Sequence, residues 1–84
     1  MMDRWVIRKI GDLYYLVDTD YNSKKYTQPI EINEVGADIC EGLIRGDDPV
    51  KITKYIAAKY EATEDEVRGD VEEFIENINR TIMR

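Results

Sequence analysis

The sequence predicts an α+β domain in which a three-stranded antiparallel sheet is followed by a three-helix bundle. Two β-rich runs, residues 5–10 and 13–18, open the chain and are separated by a single turn dipeptide. From residue 33 onward, apolar residues recur at three- and four-residue spacing, and capping or helix-stopping residues divide this half into three segments. A run of strands followed by a run of helices is typical of a small α+β domain.

The three strands follow from turn chemistry and alternation. Gly11 and Asp12 form a dipeptide that supplies the positive φ angles of a two-residue hairpin turn, so the first two strands are expected to form a tight hairpin. The polar residues 19–25 form a longer turn. A third strand is then predicted over residues 26–32.

Two short helices are predicted next. Asn33 caps the first and Gly46 ends it. Asp48 caps the second, which runs to residue 60 with Pro49 in its first turn, where a missing N–H costs nothing. The inward-facing stripes are Gly36, Ile39, Cys40, Leu43 and Ile44 in the first helix, and Ile52, Ile56 and Tyr60 in the second.

The third helix has the clearest pattern. Thr63 and Glu66 form a capping box, in which each side chain accepts a hydrogen bond from the other's backbone N–H. Gly69 departs from a good helix sequence, because a glycine in mid-helix costs about 1 kcal/mol relative to alanine, and a close backbone approach would justify it. The apolar stripe, sustained over about five turns, is Val67, Val71, Phe74, Ile75, Ile78 and Ile82.

Catalytic and metal-binding chemistry is poorly represented. The 84 residues include no histidine and one cysteine, so the commonest metal ligand and the usual acid–base group near neutral pH are missing. Cys40 lies on an apolar helix stripe, where packing is the expected role. Asp47 and Asp48 are explained by helix capping, and the glycines are too scattered to cradle a phosphate. We therefore expect no enzyme activity, no cofactor and no metal site.

One domain spanning residues 1–84 is expected from the length alone. No apolar run approaches the roughly 18–20 residues that cross a bilayer, and the N-terminus lacks a basic segment followed by a hydrophobic one. The single cysteine cannot form an internal disulfide. These features favour a cytoplasmic protein without a membrane partner.

Charge is concentrated on the third helix. The net charge is −6, and residues 61–76 carry eight acids against one base, Arg68. Residues 1–30 are nearly balanced, with five bases and four acids. The acidic helix face is either an ordinary solvated surface or a field that attracts a basic partner.

The third strand offers a binding edge. If the sheet order follows the chain, this strand has a row of unpaired backbone groups that could pair with another strand. Pro29 fits an edge position because proline cannot donate to a ladder. It could equally protect the edge against aggregation. A guest strand could still pair with Thr27 and Glu31, and a second copy of the chain could pair there to form a homodimer.

The order and spacing of residues 32–75, INEVGADICEGLIRGDDPVKITKYIAAKYEATEDEVRGDVEEFI, resemble those of the PqqD-like family. These small proteins are also called RiPP precursor recognition elements. The resemblance covers nearly the whole chain from Trp5 onward, and it implies a winged helix-turn-helix-like fold. It also implies a peptide chaperone that binds the leader of a ribosomally made precursor peptide and presents the peptide to a radical-SAM, cyclase or protease-type modifying enzyme.

The same resemblance implies where the leader lies. In similar proteins it runs antiparallel to the third strand, in the groove between that strand and the last helix. The Asp70-Val71 pair matches an Asp-Val pair of the family in mid-helix. The resemblance therefore implies a peptide-binding site composed of Thr27, Gln28, Pro29, Ile30, Glu31, Val67, Asp70, Val71 and Phe74.

A winged-helix DNA-binding regulator is the alternative, because the topology is similar. A DNA reader needs clustered basic residues to meet the phosphates. The only cluster of basic residues on the helices is Lys51, Lys54 and Lys59, and the acidic third helix would repel a duplex. Charge therefore favours peptide recognition, and we expect no nucleic-acid partner.

Overall fold

The computed structural model describes residues 4–82. Strands β1 (Trp5–Ile10), β2 (Leu13–Asp18) and β3 (Ile30–Ile32) are followed by helices α1 (Glu34–Arg45), α2 (Pro49–Lys59) and α3 (Glu64–Ile82). The sheet is antiparallel with the order β1-β2-β3. The predicted α+β fold class is confirmed, and β3 is an edge strand.

The hairpin forms at the predicted turn. Ile10 pairs with Leu13, which leaves Gly11 and Asp12 as the two turn residues. Gly11 alone of the two has a positive φ, 62°. A glycine with positive φ at the first central position is typical of a type II′ turn, whose twist matches that of the flanking strands.

Strand β3 is shorter than predicted, because only residues 30–32 are strand instead of residues 26–32. The cause is a tertiary contact. In a continued ladder the N–H of Thr27 would point away from β2, but it donates to Asp18 Oδ2 at 3.1 Å. The backbone has therefore turned back toward β2, and Thr27, Gln28 and Pro29 lie before the strand and not within it.

The predicted helix caps are confirmed. Asn33 and Asp48 each accept a hydrogen bond from the backbone N–H three residues later, at 2.6 and 2.8 Å. Gly46 ends α1 with φ 89°. In the capping box, Glu66 N–H donates to Thr63 Oγ1 at 3.2 Å, and Thr63 N–H donates to Glu66 Oε1 at 3.3 Å.

Two helical details differ from expectation. Helix α2 ends at Lys59, and Tyr60 follows as its C-cap with 37% of its surface exposed. Its hydroxyl donates to Asp38 at 2.6 Å, so it covers a surface ion pair and does not extend the inward stripe. A Cβ added to Gly69 would meet nothing within 4 Å. The expectation that another segment approaches the backbone closely at Gly69 is therefore wrong.

The core has two parts that meet at Phe74. One lies between the sheet and the helices and consists of Trp5, Leu16, Ile32, Ala37, Cys40 and Ile78. The other lies among the helices and consists of Ile39, Ile52, Ile56 and Val71. Phe74 packs against both, and its ring approaches Gly36 so closely that a Cβ on Gly36 would lie 2.7 Å from it. Helix α3 thus faces α2 with one row of side chains and the sheet with another.

Candidate functional site

The open edge of β3 exposes the backbone N–H and C=O of Glu31. Thr19 N–H donates to the carbonyl of Arg4 across the β1–β2 pair. In an antiparallel ladder, successive residues direct their backbone N–H and C=O groups to opposite neighbouring strands. Thr19 faces β1, so the β2 residues an odd number of positions away face β3, where they pair with Ile30 and Ile32. Ile30 and Ile32 pair with β2, so the N–H and C=O of Glu31, which lies between these two residues, point away from β2 at the open edge. They are available to another strand.

An apolar surface lies beside this edge. Ile30, Phe74 and Ile82 are half-buried against the sheet–helix core, and Ile78 beneath them is 5% exposed. A cavity of about 480 Å³ opens at the start of the edge. It is lined by Lys24, Lys25, Tyr26, Thr27, Gln28, Thr81 and Ile82. The C-terminal half of α3 therefore forms the second side of a groove along β3.

Asp18 positions the segment that leads into this groove. Its side chain is completely buried and lies 2.7 Å from Arg4 Nη2. It also accepts the backbone N–H groups of Asp20 at 2.9 Å and Thr27 at 3.1 Å. Burial alone raises the pKa of Asp18, but the two N–H donors and Arg4 together hold it below its ordinary value of 3.8.

We expect Asp18→Ala to lower the free energy of unfolding by about 2–3 kcal/mol at pH 7, because it removes the acceptor of the Asp20 and Thr27 N–H groups and the buried ion-pair partner of Arg4. A carboxylate with a lowered folded-state pKa contributes stability above its unfolded pKa, and that contribution is lost as pH falls through the folded value. The difference from the unaltered protein should therefore shrink below pH 3.8. Urea unfolding at pH 7 and at about pH 3 measures both effects.

Asp20→Ala is the matched control for that change. The Asp20 carboxylate is half exposed and lies 3.8 Å from Arg4 Nη1. Its loss should cost well under about 1 kcal/mol, as is usual for exposed ion pairs. Equal effects of the two substitutions would show that the buried carboxylate does not hold this segment.

The structure brings together only part of the predicted site. Thr27 and Gln28 line the cavity, and Pro29 connects them to Ile30 and Glu31 in β3. Phe74, on α3, packs against the same sheet–helix core as Ile30. The other three predicted residues of α3 lie elsewhere: Val71 is 1% exposed in the helical core, Val67 packs against that core, and Asp70 is exposed.

Thr81 and Ile82 line the cavity and Ile78 lies in the core beneath the groove, and none of the three is among the predicted site residues. The signal was present, because Ile78 and Ile82 extend the apolar stripe of α3 at four-residue spacing. The side of the stripe that faces the sheet depends on how α3 packs. That packing was not contained in the stripe itself.

The remaining chemistry of the described residues is sparse. Cys40 is buried, and burial raises the pKa of its thiol to about 12. A thiol in this state is a poor nucleophile. Among residues 4–82, no group of three or more thiol, imidazole or carboxylate side chains could hold a metal ion. Every helix within that range is too short or too polar to span a bilayer.

Comparison with known proteins identifies the family. The family model described as coenzyme PQQ synthesis protein D (PqqD) matches residues 16–80. A solved structure of TbiB1 in complex with the TbiA(beta) leader peptide is similar in fold, with a TM-score of 0.68 and 23% sequence identity over 95% of this chain and 88% of that chain. No curated protein sequence gives a significant match. Because the family model spans most of the sequence, the chain belongs to the PqqD family.

Proposed function

We propose that this chain is a non-catalytic recognition domain that binds the leader of a ribosomally made precursor peptide by β-strand addition. The observation that carries the proposal is the outward-pointing backbone of Glu31 beside an apolar groove. A guest strand there gains main-chain hydrogen bonds from β3 and buries its alternate side chains against α3.

Membership of the PqqD family supports this function. The similar structure of TbiB1 holds a leader peptide, which is the same class of ligand. The chain contains no histidine, and its one cysteine is buried, so the residues provide little for catalysis. Any modification of the peptide would then be performed by a partner enzyme of the radical-SAM, cyclase or protease type, in the cytoplasm.

The binding residues follow from the groove. Residues 27–31 form one side, with Glu31 as the hydrogen-bonding position. Phe74 and Ile82 form the other side, above the buried Ile78. The remaining residues predicted on α3 take lesser parts: Asp70 and Val67 would lie beyond the N-terminal end of the guest, and Val71 would support the groove from within the core.

DNA binding is the weaker alternative on this structure. The ammonium of Lys59 is 2.8 Å from Asp38 and is therefore partly neutralised. The first turn of α3 carries Glu64, Asp65 and Glu66, which would repel phosphates. A homodimer through β3 would occupy the same edge as the leader, so the two associations should compete.

An NMR titration tests the proposal. We expect the leader of a cognate precursor to shift the amides of residues 27–32 and 74–82 most strongly, because these border the edge and the groove. The ligand is a synthetic leader from a candidate precursor, and the control is the same peptide in scrambled order. Largest shifts in α2, around residues 51–59, would contradict the groove assignment.

A further inference from the structure

Two cavities at opposite ends of β3 carry opposite charge. The cavity of about 480 Å³ at the start of the strand is lined by two lysines, Lys24 and Lys25, and by no carboxylate. A second cavity, of about 600 Å³, lies at the end of the strand and has three acids and no base in its lining. Its lining residues are Asp12, Leu13, Tyr14, Glu31, Ile32, Asn33 and Glu34.

Most of these charges are not neutralised within the protein. Among the ion pairs of residues 4–82, none includes Lys24, Lys25, Asp12 or Glu31. Glu34 lies 4.0 Å from the Lys59 ammonium, but 58% of its side chain is exposed. The groove therefore has a positive end and a negative end.

The direction of a guest strand determines which of its ends lies at the acidic cavity and which at the basic cavity. β3 belongs to an antiparallel sheet, and antiparallel pairs are slightly more stable per residue than parallel pairs. An antiparallel guest enters beside Ile32, at the acidic cavity, and leaves beside Thr27, at the basic cavity. Lys25 and Glu31 are six positions apart, so at most about 20 Å of chain separates them.

We propose that the segment bound along β3 is an extended peptide whose N-terminal end carries Lys or Arg and whose C-terminal end carries Asp or Glu about five to seven residues later. The inference rests on the proposed strand addition and specifies its ligand. Apolar residues between the two charged ends occupy the groove over Ile30, Phe74 and Ile82. The charges at the ends fix the direction and register of the peptide, which backbone hydrogen bonds alone specify weakly.

Three synthetic peptides test the charge order. They share one apolar, strand-forming centre and differ only at the ends: lysines before and glutamates after, the reverse, or glutamines at both ends. We expect the first to bind about tenfold or more tightly than the second, with the neutral peptide between them, because several exposed ion pairs each contribute a small amount. The differences should shrink at about 500 mM salt, where charges are screened.

A charge-swapped protein is the matched control. The variant Lys24→Glu, Lys25→Glu, Asp12→Lys and Glu31→Lys changes exposed side chains and should keep the fold. It should prefer the reversed peptide. Equal affinities of the two charged peptides, or no measurable binding of any, would overturn the charge order. Tighter binding of the reversed peptide by the unaltered protein would also overturn it and would indicate a parallel guest. The proposed function is judged separately, by the titration with precursor leaders.

Discussion

Val71→Asp is expected to destabilise the domain strongly instead of weakening peptide binding selectively. Val71 is 1% exposed and packs with Ile39, Ile52 and Ile56 among the three helices. A carboxylate at this position would have no cationic partner, and an uncompensated buried charge costs about 3–5 kcal/mol. Native domains are stable by only about 5–15 kcal/mol. Loss of amide dispersion in an NMR spectrum, or a large decrease in the urea midpoint, would show the effect.

Gly69→Asp is the matched control for this prediction. It adds the same carboxylate to the same helix, two residues earlier, where an added Cβ meets no atom within 4 Å. Aspartate has a slightly better helix propensity than glycine, but it would be repelled by the acids three and four positions away, so stability should stay within about 1 kcal/mol of the unaltered protein. If Val71→Asp is as stable as Gly69→Asp, residue 71 faces solvent or the groove and the core assignment fails.

The third helix illustrates what the sequence could and could not predict. The sequence predicts its apolar stripe correctly, because helical periodicity follows from the order of residues. The stripe consists of two rows at four-residue spacing: residues 67, 71 and 75 pack in the helical core, and residues 74, 78 and 82 pack in the sheet–helix core, with Phe74 also in contact with the helical core. Both rows have the same spacing and the same apolar character. Only the tertiary packing determines which row borders β3.

Local signals were more reliable than long-range ones. Asn33, Gly46 and Asp48 act within one helical turn, so their residue types alone predicted the ends of α1 and the start of α2. The start of β3 depends on a contact nine residues apart in sequence, between the carboxylate of Asp18 and the Thr27 N–H. Nothing in the alternation of residues 26–32 indicates that contact. The strand was therefore predicted too long.

Glu31→Pro is expected to weaken leader binding at least tenfold, about 1.4 kcal/mol, while the domain stays folded. Proline removes the N–H that points out of the edge and places its ring where the guest backbone would lie. The bonds between β3 and β2 should survive, because they come from Ile30 and Ile32. Affinity is measured by titrating the variant with the leader peptide that binds in the NMR experiment, and thermal unfolding checks the fold.

Two further variants separate the backbone effect from other causes. Glu31→Gln removes the charge but keeps the N–H, so it should lose less affinity than Glu31→Pro. Lys9→Pro places a proline on the opposite edge, where the same alternation turns the Lys9 N–H away from β2. It should leave leader binding unchanged. If Lys9→Pro weakens binding as much as Glu31→Pro does, the leader pairs with β1 or the loss comes from damage to the sheet. If neither proline weakens binding, recognition proceeds without strand addition, because the edge N–H is then dispensable.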